Sequence, residues 1–259
     1  MRLASLAFFM LGASTMTAAE SSAPEPAVTW AVKPDAWGGW KPAVERLRAA
    51  RPMQPLAGTL FSQRVEWKAY HDINASQLMD GRILNLELKR DEWKKVNAWP
   101  QGKELFLCYD TARGATLFDP ASQWSVPLRY GQKKTGARFH PIDDYIPSLE
   151  AISTFDMMSV GHEATQAWQA EIDRCVQQVL AKKHLPEKVR KGFIELTQAR
   201  VRYCELQIAF AGAAISADIT GTAAGPMVGN YARDLYRDAY FALAQLADSY
   251  EAFERLPAK

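Results

Sequence analysis

The chain is poor in the residues with which proteins most often do covalent or metal chemistry, holding four histidines and three cysteines in 259 residues. His71, His140, His162 and His184 stand singly, no two at metal-ligand spacing and none beside paired cysteines, which excludes the common zinc and thiolate arrangements. The run His162, Glu163, Ala164, Thr165, Gln166 begins like the zinc-protease helix, but Gln166 stands where a second imidazole is required one turn on. No Gly-x-Ser-x-Gly elbow occurs, and no glycine loop is followed by Lys and Ser or Thr, so neither a serine-hydrolase elbow nor a phosphate cradle is encoded. The expectation is a protein with no catalytic set, no metal site and no cofactor.

An excess of one charge is lacking too. Thirty-one basic against 29 acidic residues give a net charge of +2, too even a balance for a chain that neutralises a phosphate backbone, so nucleic acid is not an expected partner. Long apolar runs are also absent. Leu3 to Gly12 follows Arg2 and precedes the small residues Thr17, Ala18 and Ala19, the order of an export signal. At roughly ten residues it is half of the ~20 that span a bilayer. Residues 1–19 therefore read as a signal peptide cleaved near Ala19, which predicts a periplasmic or secreted product without a permanent membrane anchor. Leu206 to Ile215, broken by Gln207, is again too short to span.

Three cysteines are few for an oxidising compartment. On a helix pair turning near His184, Cys204 would lie about 15 Å beyond the position facing Cys175, out of reach of a disulfide that needs Cα atoms within roughly 7 Å. Cys108 lies in an alternating strand, as a buried thiol or as a partner for one of the others. Three free or partly buried thiols are the simpler expectation.

What is present is an ordinary globular balance, with 48% hydrophobic and 11% aromatic residues. Residues 20–36, with Pro24, Pro26 and Pro34, read as a flexible lead-in. Residues 37–156 read as a mixed α/β region. Asp91 to Trp99 ends a helix at Pro100, Gln101 and Gly102. Lys103 to Tyr109, Ala115 to Phe118 and Trp124 to Leu128 alternate as strands of a hairpin or meander, and Tyr130 to Pro147 reads as loop.

From Thr154 the period becomes helical. Val160, Ala164, Ala167, Trp168, Ile172, Cys175, Val176, Val179 and Leu180 form one stripe, which stops at Lys182, Lys183 and His184. Pro186 opens a second helix, striped by Val189, Phe193, Leu196, Val201, Cys204, Ile208, Ala211 and Ile215. A glycine loop from Asp218 to Asn230 leads to a third helix, Tyr231 to Phe253, which buries Leu235, Ala239, Ala242, Leu246 and Phe253. The predicted class is α+β, mainly α: a C-terminal antiparallel three-helix bundle over 157–259 with a smaller N-terminal mixed region.

The stretch Ala167 to Leu180 (AWQAEIDRCVQQVL), then LPEKVRKGFIELTQARVRY, then Phe210 with its Ala-Gly-Ala-Ala and Gly221-Thr222 before Pro226, resembles the lysozyme-inhibitor LprI-like domain of bacterial envelope proteins over about residues 160–246. On this resemblance Trp168, Ile172 and Asp173 match the first-helix motif, Gln198 the second, and Phe210 and Pro226 the loop approach. The family's cysteine pair is absent, its surrounding positions holding Val201, Glu205, Leu206 and Ala209 and, for the second, Asn230 or Tyr231. The resemblance implies an exported, non-enzymatic protein that binds a protein partner, a muramidase-type enzyme or secreted effector, as inhibitor or immunity protein. Such a protein needs a rigid scaffold presenting a complementary loop, and a glycan-cleaving site with two carboxylates suits a basic one. Two candidate partner-binding loops stand out, Arg129, Lys133, Lys134 and Arg138 in one, and Gly221, Thr222 and Gly225 in the other. Two alternatives come from other classes: a secreted hydrolase with carboxylates such as Asp143, Asp144, Asp234 and Asp238 converging, and a structural or ligand-binding module with Trp93, Trp99 and Trp124 lining a groove.

Overall fold

The computed structural model describes residues 28–30, 41–49, 54–72, 75–89, 91–218 and 223–254. The export signal, most of the lead-in, Gly221 and Thr222 lie outside the described residues. The chain is α+β, an N-terminal antiparallel barrel followed by three long helices that pack together.

After the short helix α1 (Lys41–Ala49) come strands β1 (Phe61–Asp72), β2 (Ala75–Leu78) and β3 (Ile83–Leu86), helix α2 (Glu92–Asn97), and strands β4 (Glu104–Asp110), β5 (Gly114–Asp119), β6 (Trp124–Gln132) and β7 (Arg138–Phe139). Six of these strands close a ring. β1 pairs with β4 through Phe61–Glu66 and with β2 through Trp67–Asp72. β6 pairs with β5 through Trp124–Pro127 and with β3 through Leu128–Gln132. The two long strands thus serve as shared corners, and β7 adds outside on β6. A ring this small is filled by its own side chains. Val65, Trp67, Leu78, Leu84, Leu86, Leu105, Leu107, Leu117, Val126 and Leu128 fill it, with Val96 of α2 as a plug. Trp99 stacks edge-on between Trp67 and Trp124, at centroid distances of 5.2 and 5.8 Å.

Two tight turns follow aspartates that accept backbone N–H groups two and three residues on. Asp110 accepts from Ala112 and Arg113, both at 2.7 Å, and Asp119 accepts from Ala121 at 3.0 Å and from the Ser122 hydroxyl at 2.7 Å. Strands β4, β5 and β6 lie where alternation predicts them. The segment from Tyr130 to Pro147 is not a loop: β6 runs on to Gln132, β7 follows, then helix α3 (Ile142–Tyr145) and a 3-10 turn, Pro147–Leu149. Glycine misled the reading there. Gly131 is the residue on β6 that pairs with Leu84 on one side and Phe139 on the other, and lacking a side chain it leaves room for the Phe139 ring.

The helices are α4 (Thr154–Ala181), α5 (Glu187–Asp218) and α6 (Ala224–Glu254). A capping box starts α4, Ser153 accepting from the Asp156 N–H while the Asp156 carboxylate accepts from the Ser153 N–H. Ala164, Ala167, Trp168, Ile172, Cys175, Val176 and Val179 are buried as the stripe predicts. Gly161 of α4 meets Gly229 of α6 so closely that a Cβ on the former would lie 3.3 Å from the latter's Cα. Further along, Trp168 of α4 faces Tyr240 of α6 at 5.5 Å, so these two helices run in the same direction and α5 runs against both. The glycine loop is shorter than predicted, because α6 already begins at Ala224. Gly225 and Pro226 belong to its first turn, where a missing amide proton is tolerated. Leu196 is also misplaced by the sequence reading, being 45% exposed; the inner stripe of α5 is Phe193, Thr197, Val201 and Cys204. The three cysteines are free and buried.

The helices do not form a core of their own. One apolar cluster joins α4, α5 and α6 to Val28, Tyr109 of β4, Ile142, Tyr145, Ile146 and Leu149. Arg174 of α4 fastens barrel to helix, donating to the carbonyls of Ala112 and Thr111 at 3.0 and 3.3 Å. Gly114 in that turn has φ +79°, and a Cβ there would strike the Arg174 guanidinium, so both backbone geometry and space require glycine.

Candidate binding cleft

Where the barrel wall turns away from the end of α4, a cleft of about 980 Å³ opens. Its walls come from three places: Glu87, Leu88, Lys89 and Glu92 after β3, Arg113 at the β4–β5 turn with Pro127 and Arg129 of β6, and Gln178, Lys182 and His184 at the end of α4. The outer barrel face positions Glu87 and Arg129 because their neighbours Leu86 and Leu128 point inward.

Arg129 is almost fully buried and is held by two acids. It donates to Glu87 Oε1 at 3.0 Å and is paired with Asp248 of α6. Asp248 also accepts from the Tyr130 hydroxyl at 2.5 Å and from Asn85 at 3.2 Å. Burial works against the Arg129 charge, but Asp248 and Glu87 outweigh it and raise its pKa further. The cleft acids are thus satisfied from within: Glu87 accepts from Arg129 and from Gln178 at 2.8 Å, and Glu92 accepts from the Lys89 N–H at 2.8 Å. Lys89 is exposed, Arg113 is half-exposed beside Asp110, and Lys182 is partly buried. Burial and the nearby Arg129 charge push the Lys182 pKa down. The lining thus carries four cations, Lys89, Arg113, Arg129 and Lys182, and two carboxylates, Glu87 and Glu92, with Asp110 and Asp248 paired to Arg113 and Arg129.

Behind the cleft lies a recess of about 100 Å³, floored by Glu171, Arg174, Cys175 and Tyr240. Glu171 is buried, burial raises its pKa, and Arg174 opposes the rise with hydrogen bonds at 3.0 and 3.3 Å. Deeper still, and not lining the recess, sits His140. Its Nδ1 accepts the Ile142 N–H at 3.3 Å, which leaves the proton on Nε2, 3.8 Å from Glu171 Oε2 and beyond hydrogen-bond range. Trp168, Tyr240 and Tyr109 surround the imidazole at 5.4 to 6.1 Å. Burial first, then Arg174 and Arg237, push its pKa down to about 3, so the ring is neutral. An imidazole, a carboxylate and phenols therefore do converge, against the sequence expectation. Glu171 and Tyr240 border the recess, but His140 itself has no exposed surface, and a general base must come within reach of its substrate. A second buried set ties α1 to the same core: Arg48 and the Tyr145 hydroxyl both bond Glu163, the latter at 2.8 Å, and Arg48 also donates to Tyr145 at 3.0 Å.

The structure divides the predicted basic loop. Arg129 is a buried ion-pair member, and Arg138 donates to Gln245 of α6 at 2.6 Å. Only Lys133 and Lys134 are presented, on an exposed turn between β6 and β7 closed by Lys133 N–H to Ala137 O at 2.7 Å. Gly225 is a contact residue, since a Cβ there would run into Met158 of α4. Trp168 and Ile172 are core, Asp173 accepts from Trp30 at 3.1 Å, Gln198 is exposed, and Phe210 is 77% exposed.

Of the candidate acids, Asp143 is clamped by Arg237 at 2.6 and 3.1 Å, Asp234 pairs with Arg233 on the surface, and Asp238 is exposed. Burial raises the pKa of their neighbour Asp144. Trp99 and Trp124 close the barrel and Trp93 is exposed, so they line no common groove. Sequence reasoning missed Glu87, Arg113, Gln178 and Lys182 as site residues. Lys182 and His184 carried a signal, but it read equally well as helix-end cations. Among the described residues no group of three His, Cys, Asp or Glu side chains is placed to hold a metal ion, and no helix is long and apolar enough to cross a membrane. No family model, curated protein or solved structure matches the chain.

Proposed function

We propose that this is an exported, non-catalytic binding protein whose working surface is the cleft between barrel and helices, and that the cleft takes an acidic segment of a protein partner. The observation that carries the reading is the pairing inside the cleft. Both wall acids accept hydrogen bonds from local donors, and Lys89, Arg113 and Lys182 line the same open volume. A carboxylate entering there finds cationic side chains to pair with, and its charge offsets the cost of keeping Lys182 ionised.

The test is isothermal titration of the mature chain with a glutamate-rich peptide and with its glutamine counterpart. Binding of the acidic peptide alone, weakened at least tenfold by Lys89→Glu with Lys182→Glu and reduced by salt, is the expected result. Equal binding of both peptides removes the reading, and turnover of a peptidoglycan substrate by the same preparation replaces it with an enzyme.

The β6–β7 turn favours one narrower reading, inhibition of a muramidase-type enzyme. Lys133 and Lys134 stand at the exposed tip of a rigid turn, a shape that suits insertion between two carboxylates. Lys133→Glu with Lys134→Glu separates the two surfaces, because only this reading loses inhibition from a change at the tip.

A further inference from the structure

The outer face of α5 carries a second apolar stripe, separate from the one that packs on α4 and α6. Leu196, Ala199, Tyr203, Leu206, Phe210, Ala213 and Ala217 are all exposed, with Tyr203 at 61% and Phe210 at 77%. Their spacing alternates three and four without a break, a strict 3.5-residue period. Leu196, Tyr203 and Phe210 occupy the a positions of three heptads and Ala199, Leu206 and Ala213 the d positions, with Ala217 opening a fourth. The inner stripe, Phe193, Thr197, Val201 and Cys204, points the opposite way. A helix buried on one side and apolar on the other has two partners to satisfy.

We infer that α5 is a self-association surface, pairing with α5 of a second copy of this chain as an antiparallel two-stranded coiled coil. Three properties of the stripe select a copy of itself. The first is size. With the chains antiparallel and centred between Cys204 and Glu205, Leu196 meets Ala213 of the other copy, Ala199 meets Phe210, and Tyr203 meets Leu206. The largest a side chain and both terminal d alanines thus find opposites, which is the self-complementarity a two-fold interface requires. A parallel pairing instead stacks Phe on Phe, Tyr on Tyr and Ala on Ala, leaving layers alternately crowded and empty.

The second property is charge. Residues 206 to 217 contain no ionisable side chain, so the neutral half of each helix covers the half of its partner that carries Glu195, Arg200 and Arg202. Arg200 is then flanked by Gln207 and Arg202 by Ala209, and no like charges meet. The third is area. The four large side chains and three alanines bury roughly 500 Å² per copy, about 1,000 Å² for the pair, the lower limit of a specific interface. The dimer is accordingly weak and depends on concentration. None of the stripe residues lines the cleft.

Sedimentation velocity on the full chain tests it first. A monomer that converts to dimer as concentration rises through the micromolar range is expected, with Phe210→Lys and Leu206→Glu each remaining monomeric. Both positions are exposed, so an unchanged circular-dichroism melt confirms that the variants fold. Orientation is read by mixing Leu196→Cys and Ala213→Cys proteins under mild oxidation. A cross-linked dimer from the mixture, and not from either alone, is the expected outcome. Self-cross-linking of Leu196→Cys overturns the antiparallel arrangement. A wild-type chain that stays monomeric at every concentration overturns the pairing, and one that stays monomeric while floating with phosphatidylcholine vesicles assigns the stripe to a lipid surface instead.

Discussion

The inside of the barrel and the seam between barrel and helices are both buried, yet they are held by different forces. The barrel interior is aliphatic and aromatic, its members 0 to 5% exposed, and it contains no ionisable side chain. The seam buries Arg129, His140, Glu163 and Glu171 among aromatic rings. Apolar burial is non-directional and tolerates many packings, so the barrel relies on its closed ladder of backbone hydrogen bonds to fix one arrangement. The seam lacks such a ladder. There, Arg174 to the β4–β5 turn and Arg129 to Asp248 define where helix sits on barrel, and Arg48 to Glu163 fixes α1 on α4. A misplaced buried charge is costly, so these pairs specify position more than they add stability.

Three substitutions put that contrast at risk. The largest effect is expected in the barrel, where Trp67→Ala removes a side chain that is 2% exposed and costs about 3–5 kcal/mol. Chemical denaturation should show that loss undiminished from neutral to mildly acidic pH; a loss that varied with pH would show that charged groups also hold the barrel. Next comes Arg129→Met, which leaves Glu87 and Asp248 without their shared cation. Both acids are about one-fifth exposed, so the expected cost is about 2–3 kcal/mol, less than for a fully sealed pair. Adding Glu87→Gln should recover part of it, and additive costs would deny that the two residues interact.

The third effect, the smallest only within about one pH unit below 6.5, is the most diagnostic. The unfolded chain protonates His140 near 6.5, while the folded chain does so only at about 3. Stability from the neutral ring is therefore present at neutral pH and is lost as pH falls through 6.5 toward 3, with a limiting slope of about 1.4 kcal/mol per pH unit. His140→Asn lacks this component, so the gap between wild type and variant should narrow on acidification. His162, pushed down to about 4 by burial, acts in both proteins and cancels in the difference, whereas Glu171 lies 3.8 Å from the ring and titrates with it, so the comparison is made in a Glu171→Gln background. A gap that stays constant would mean that His140 titrates as in water.

The same contrast explains what the sequence made legible. Strands β4 to β6 and the inner stripe of α4 come from local periodicity and appear as predicted, whereas on α6 the buried face includes Ala232, Tyr236, Ala239, Tyr240, Leu243, Ala244 and Ala247, and the expected Leu235, Ala242 and Leu246 are only partly buried. β1 was missed although Val65 and Trp67 alternate in it, because Arg64, Glu66 and Lys68 fill the outward positions and the run looks polar. Ring closure was out of reach, since Ile83 and Gln132 pair across almost fifty residues with no local mark. The cleft escaped for the same reason. Glu87, Arg129 and Asp248 come from three distant segments, Glu87 and Asp248 reading as surface charges and Arg129 as one member of a basic loop. The outer stripe of α5 is different, since its period stands in the sequence but was merged with the inner stripe through Leu196.

The shared-corner design of β1 and β6 has a kinetic corollary. Until β6 is synthesised and delivered, β3 and β5 each lack a neighbour on one side, so two strand edges stay open during chain emergence. The α4–α5 hairpin needs no such wait, its contacts being close in sequence. The ring is thus the slow, aggregation-exposed step of maturation, and a chaperone that shields β-edges would matter more to this chain than one that shields helices.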